Sequence, residues 1–205
     1  SFDGYPSGAL ILSTGEVVPP SSSLVINSSA PAWAAGSVNQ GSVNNVIYSF
    51  SVNAPSAKAV ISGLQITTGG TYTTGDINTL KAWYSTNSTF DASDILLSTM
   101  PYPSGAGTHV FPDWTNQSIN GGATGYIFIT ADIECAANPG ATINVNAVNG
   151  SDISFYGSIT GTTNDAGIQT IQEIPLNNVT AISASAGDTK SVLSWTAPVN
   201  CYDEI

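Results

Sequence analysis

Arginine does not occur in this chain, and lysine occurs only at Lys58, Lys81 and Lys190, against 14 acidic residues. The formal net charge is therefore -11. Nucleic-acid binding and docking on an anionic membrane both need basic side chains, so both partners are electrostatically disfavoured. A cation or a neutral glycan suits this surface better, and the charge itself keeps a surface protein dispersed. Histidine occurs once, methionine once and cysteine twice. A Ser-His-Asp triad would have to use His109, which sits in the apolar phrase Thr108-His109-Val110-Phe111. Asp113 is separated from it by Pro112, and no serine stands in a nucleophile-elbow motif. One histidine and two distant cysteines do not make a zinc site. Long apolar runs are missing as well. No stretch approaches the ~20 residues of a membrane-spanning helix, and Tyr126 to Ile129 has the length of a strand.

Short β-forming runs separated by turn residues make up the rest. Charged residues are only 8% of the 205, so Ser, Thr, Asn and Gly must provide solubility, a composition that suits secreted β proteins. A domain of this size buries roughly 70% of its unfolded surface and needs no metal, cofactor or disulfide to fold. The clearest period-two pattern lies in Val46, Tyr48, Phe50 and Val52, which alternate with Asn45, Ile47, Ser49 and Ser51 and predict a central strand with one buried face. Val60, Leu64 and Ile66 continue that pattern after the turn at Ala54-Pro55-Ser56. Gly63 to Thr68 and Thr79 to Ser85 read as two paired strands punctuated by Gly69-Gly70 and Gly75-Asp76, with Leu80, Ala82 and Tyr84 on one face and Lys81 and Trp83 on the other. Ala9 to Ser13 and Ser23 to Asn27 read as edge strands joined through Pro19-Pro20, and Trp33 as a lid on a core edge sooner than as a ligand platform. Further strands are expected at Thr108 to Phe111, Tyr126 to Thr130, Thr142 to Val148, Ile153 to Tyr156 and Ile168 to Ile174, and no helix is demanded. The expected fold is all-β, an antiparallel sandwich of jelly-roll or immunoglobulin-like type.

Several phrases in order, GLQITTGGTYTTGDINTLKAWYST, FDASDILLS, GAGTHVF and ATGYIFITADI, resemble the β-sandwich module at the N-terminus of BNR-repeat neuraminidases and other secreted multidomain proteins of the Bacteroidota. The likeness runs over about Val38 to Ile174. It implies location and architecture, and it brings no catalytic residues with it. From Asn178 the phrase NVTAISASAGDTKSVLSWTAPVNCYDEI is similar to the opening of a fibronectin type III-like module, with Trp195 in the core position of its second strand. The expected organisation is a sandwich over 1–175, in which 1–37 supply N-terminal edge strands and loops, a short linker at Pro175 to Asn178, and an incomplete fibronectin-like module over 176–205. Two strands do not close a core, so further chain after Ile205, or a strand from a neighbouring copy, is expected to complete it. A start at Ser1 is consistent with a removed signal peptide and a secreted or cell-surface protein.

Three sets of candidate site residues follow. Asp76, Asp91, Asp94, Asp132, Glu134 and Asp152 lie in turn-rich segments among backbone and asparagine oxygens, the hard donors that calcium takes, although no EF-hand or RTX spacing accompanies them and solvated loop acids read the same way. Asp132 and Glu134, two residues apart on a strand, also project from one face as a glycosidase acid and nucleophile must, but nothing nearby would raise one of the two pKa values, and the chain reads as non-enzymatic. Trp114 and Tyr102, in turn-rich segments, could stack on sugar faces while Asn116 and Gln117 bond hydroxyls; ordinary edge packing is the other reading. If the second module has fibronectin-like topology, Cys201 follows its second strand in a loop facing the first module, where Cys135 follows a strand. The two then either form an intermodule disulfide or are each a small buried residue. The functional expectation is a non-catalytic structural or adhesive module of an extracellular multidomain protein, joined to further domains and open to polymerisation into a filament of its own copies. A glycan-binding accessory module of a secreted hydrolase is the alternative.

Overall fold

The computed structural model describes residues 22–174, 180–187 and 190–196. The strand expected at Ala9 to Ser13, the linker, the Trp195 side chain and Cys201 lie outside the described residues. What is described is an all-β sandwich. A six-stranded sheet has the order β12-β1-β3-β9-β5-β6, made of β12 (Ser158–Thr162), β1 (Ser23–Asn27), β3 (Asn45–Asn53), β9 (Thr124–Ile133), β5 (Ile77–Ser85) and β6 (Ile95–Pro101). The second, seven-stranded sheet has the order β11-β4-β10-β13-β2, made of β11 (Ile153–Phe155), β4 (Ala59–Gly70), β10 (Thr142–Val145), β13 (Gln169–Gln172) and β2 (Gly36–Asn39). Two short strands, β7 (Gly107–Val110) and β8 (Gln117–Ile119), also pair with β4. A separate hairpin joins β14 (Thr180–Gly187) to β15 (Lys190–Thr196). A 3-10 turn at Gly150–Asp152 is the only helical element among the described residues.

The inner faces of both sheets share one core, in which Leu24, Ile47, Tyr48, Val52, Leu80, Ala82 and Ile129 from one sheet meet Ile61, Ile66, Ile143 and Ile171 from the other. Tyr48, Phe50 and Val52 point inward as their alternation requires. At the start of the strand the pattern breaks: Ile47 is fully buried and Val46 is not, because the ladder with β9 shifts register between Val46 and Tyr48. An inserted residue of this kind turns consecutive side chains to the same side. A similar break in β4 overturns the reading of Val60, which is 40% exposed while Ile61 is buried. The phase changes at Ser62-Gly63, opposite the irregularity in β11 between Ser154 and Phe155.

Two more expectations are corrected. β4 and β5 are not paired; they lie in opposite sheets, and the connection over 71–76 carries the chain from one to the other. Each strand has an apolar face that requires cover, and stacking β4 across the core from β5 buries both faces at once, which side-by-side pairing does not. β1 is not an edge strand either, since β12 pairs with it from outside. Both the β1–β12 and β2–β13 pairs are parallel, so the sandwich is antiparallel except where the last strands of the domain return to its first.

Candidate functional site

The outer face of the six-stranded sheet has a row of aligned residues running across five strands: Thr162, Asn27, Ser51, Tyr126 and Ser85. Beside it runs a second row of Ser49, Phe128 and Trp83. Alternation places all of them opposite the core residues of the same strands. Phe128 is nevertheless only 1% exposed. The loop over 86–94 folds back across this face, and Phe90 packs against both Trp83, at a ring separation of 5.4 Å, and Phe128, at 5.7 Å. The Trp83 indole donates to Thr130 Oγ1 at 2.9 Å. This small satellite core explains why β9 is buried on both faces over most of its length.

The loop holds its shape through local bonds. The Asn87 amide donates to Ser85 Oγ, the Thr89 amide to Asn87 Oδ1, and the Asp91 amide to Asp94 Oδ2. Asp91 Oδ1 accepts from both the amide and the hydroxyl of Ser93. On the other side of the exposed strip a second loop, over 28–35, is fixed by Ala32 N–H donating to Asp165 O at 2.9 Å and Gly167 N–H to Trp33 O at 2.7 Å. Between the two loops lies an open groove of about 610 Å³. Asn27, Ser49, Ser51 and Tyr126 contribute to its floor, with Trp33 and Ser88 from the loops.

The six carboxylates read as calcium candidates are each committed within the protein. Asp76 is 1% exposed and accepts four hydrogen bonds, from the Thr73 amide and hydroxyl and from the Asn138 amide and side chain. Burial alone would raise its pKa; the four donors outweigh that effect and hold the carboxyl below its ordinary range. It thereby ties the inter-sheet connection to the segment after β9. Asp132 pairs with Lys81 at 2.6 Å and accepts from the Asn44 amide at 2.7 Å, while the Lys81 ammonium also donates to Asn44 Oδ1. Glu134 accepts from Asn78 Nδ2 at 2.6 Å, so the two acids read as a glycosidase pair serve different partners. Asp152 caps the 3-10 turn by accepting from the Asn149 amide. Among the described residues no three acids, histidines or cysteines gather as a metal-binding group.

His109 is buried on β7, with Nε2 3.0 Å from Thr68 Oγ1 and 3.1 Å from the Tyr72 hydroxyl, which in turn donates to Gly105 O. Burial lowers its pKa, against a smaller opposing effect from the Gly105 carbonyl. Among the described residues, no carboxylate or serine bonds to the ring. Trp114 packs against the core and edge-on to Phe111 at 6.3 Å, with its indole nitrogen enclosed and without a hydrogen-bond partner among the described residues. Tyr102 is 63% exposed, Asn116 is exposed, and the Gln117 amide donates to Ser118 O. Trp114 is half-buried at the core edge, whereas Tyr102 stands out alone. Cys135 lies two residues past the end of β9, after Glu134.

The groove residues carried only a partial signal in the sequence. The period of β3 placed Ser49 and Ser51 on the outer face, but nothing local indicates that β1 and β9 flank that strand or that two loops wall the strip. No family model matches the chain, and no curated protein does. Among solved structures, one to which it is similar is a family 123 glycoside hydrolase from Clostridium perfringens, studied for glycolipid glycan hydrolysis. The likeness has a TM-score of 0.34 at 14% identity and covers 72% of this chain but 24% of that one, too slight to bear on function.

Proposed function

We propose that this chain is a non-catalytic, extracellular or cell-surface module that joins or presents other domains of the same polypeptide. The observation supporting this reading is the use made of its ionisable side chains. Asp76 clamps the crossover between sheets, Asp132 and Lys81 tie β5 to β9 and to the turn before β3, and His109 is enclosed by Thr68 and Tyr72. Groups that chemistry would need free are spent on holding segments together. The resemblance to accessory modules of secreted Bacteroidota proteins points the same way, as does a surface solubilised by hydroxyls and amides. In that setting a Cys135–Cys201 bridge to the following module is part of the proposal, and no described cysteine is a free thiol.

The test uses native material released from cells together with the purified chain. Electron microscopy is expected to show the module within a larger assembly or as a repeating fibre, and the purified chain is expected to hydrolyse no glycoside, ester or peptide substrate. Turnover that disappears on Asp132→Asn with the fold intact would refute a non-catalytic role.

A further inference from the structure

We infer that the groove between the 28–35 and 86–94 loops is a binding site for a short neutral saccharide. The inference goes beyond the joining role proposed above and does not depend on it. Three properties of the groove select the ligand. The first is charge: none of the residues lining it carries charge at neutral pH, in a protein with a net charge of -11. An anion would meet no cation there and a general negative field around it, and a metal ion would meet no carboxylate.

The second is unspent hydrogen-bonding capacity. The Asn27 carboxamide, the Tyr126 hydroxyl and the Ser88 hydroxyl make no side-chain hydrogen bond among the described residues. Ser51 and Ser49 donate to the backbone carbonyls of Asn27 and Ala32, at 3.1 and 3.4 Å, which fixes their protons and leaves their oxygens as acceptors. A ligand that satisfies this strip must offer donors and acceptors at close intervals without charge, as the hydroxyls of a sugar do. The third is the pairing of that polar floor with Trp33 and Tyr126, both part-exposed rings with an apolar body and a polar tip. Rings of this kind take the C–H faces of a sugar while the floor takes its hydroxyls. The volume falls in the range of small-ligand clefts, ~300–1,000 Å³, and the open outer side lets a longer chain continue past the site.

The test applies the purified protein to an array of neutral and acidic oligosaccharides and to insoluble neutral polysaccharides, followed by calorimetry on any oligosaccharide retained. The expected result is retention of a neutral glycan, with an affinity unchanged between low and high salt. Trp33→Ala should weaken it about tenfold, equivalent to 1.4 kcal/mol. Because Trp33 also packs on the core, Ser51→Trp serves as a second variant. It fills the floor from an outward position, and it should keep the melting temperature of the parent while abolishing retention. Trp114→Ala should leave binding unchanged. Failure to retain any neutral glycan, retention only of acidic glycans in a salt-sensitive manner, or retention that survives Ser51→Trp in a folded protein would each overturn the assignment. None of these outcomes touches the hydrolysis and microscopy tests of the joining role.

Discussion

Replacing Tyr48 and Thr163 singly and together isolates one buried amide and shows how the core handles polar groups. Tyr48 lies at the centre of β3 with no solvent exposure, and its hydroxyl is 2.6 Å from Thr163 Oγ1 and 3.1 Å from both Asn164 O and the Val148 amide. The Val148 amide also donates to Thr163 Oγ1 at 2.7 Å, and that hydroxyl donates to Val148 O at 2.9 Å. The amide therefore has two acceptors. Tyr48→Phe removes one and leaves the other, so only the net worth of a hydrogen bond is lost, about 0.5–1.5 kcal/mol. Thr163→Val preserves volume and leaves the amide on Tyr48, but strips Val148 O of its donor, at a cost of about 1–3 kcal/mol. In the double variant the amide of a residue 2% exposed has no acceptor. The full desolvation penalty then appears, and the loss should exceed the sum of the single losses by about 1–3 kcal/mol. Urea melts of all four proteins measure this, the midpoint reporting stability and an unchanged slope showing that the comparison is fair. Additivity within about 0.5 kcal/mol would refute the shared-acceptor argument.

Gly70→Ala should destabilise by more than about 1 kcal/mol, since φ is +111° and a β-carbon would meet the Thr142 carbonyl; Gly75→Ala, at the same φ but in open space, should cost less, and equal costs in a thermal melt would contradict the packing argument. Stability should fall on acidification in two windows. His109 has a lowered folded pKa, so its contribution is complete above about pH 6.5 and is lost as pH falls through the folded value. Asp76, also lowered, gives a contribution present above about pH 3.9 and lost as pH drops through its own folded value; His109→Gln should flatten only the first window and Asp76→Asn only the second. Chelation with EDTA should leave the melting temperature unchanged, because the six acids, Asp132 in β9 and the others in connections, already have protein partners, and a drop would point to a structural cation. Titration of the unfolded, unreduced protein should find no reactive thiol; two would rule out the bridge between Cys135 and Cys201.

The fold class was legible because it depends on local signals. Tyr48, Phe50 and Val52 and, in β5, Leu80, Ala82 and Tyr84 alternate, and all six are buried. What local pattern does not encode is which strand lies beside which. The Gly-rich segments around β4 and β5 look the same whether the chain turns back within a sheet or crosses to the other one. Bulges are hidden for a related reason: Val46-Ile47 and Ser62-Gly63 are both plausible in either phase, and only the partner strand decides. β12 carries no local strand signal, since Ser158–Thr162 has no buried residue and is held as a strand by the edge that β1 offers it. The groove depends on the same non-local facts, so its residues were readable one by one but not as a set. Trp114 and Trp33 illustrate the same limit: both are half-buried and pack on the core edge, and local sequence does not tell which of them borders a groove.

The two parallel pairs bear on how the protein is made. Ser23 pairs with Ser158 and Gly36 with Gln169, so each sheet is finished by a strand synthesised long after its partner. A chain delivered N-terminus first holds β1 without its outer neighbour β12, and the edge strand β2 without its partner β13, until nearly the whole domain has emerged. Non-local pairing of this kind makes folding slow. The late pairing leaves β1 with β3 alone and β2, among the described strands, without a partner until β13 arrives. It also sets a sharp limit on truncation, because a chain ending before Ser158 would leave β1 and β2 exposed at once and ready to pair with another molecule.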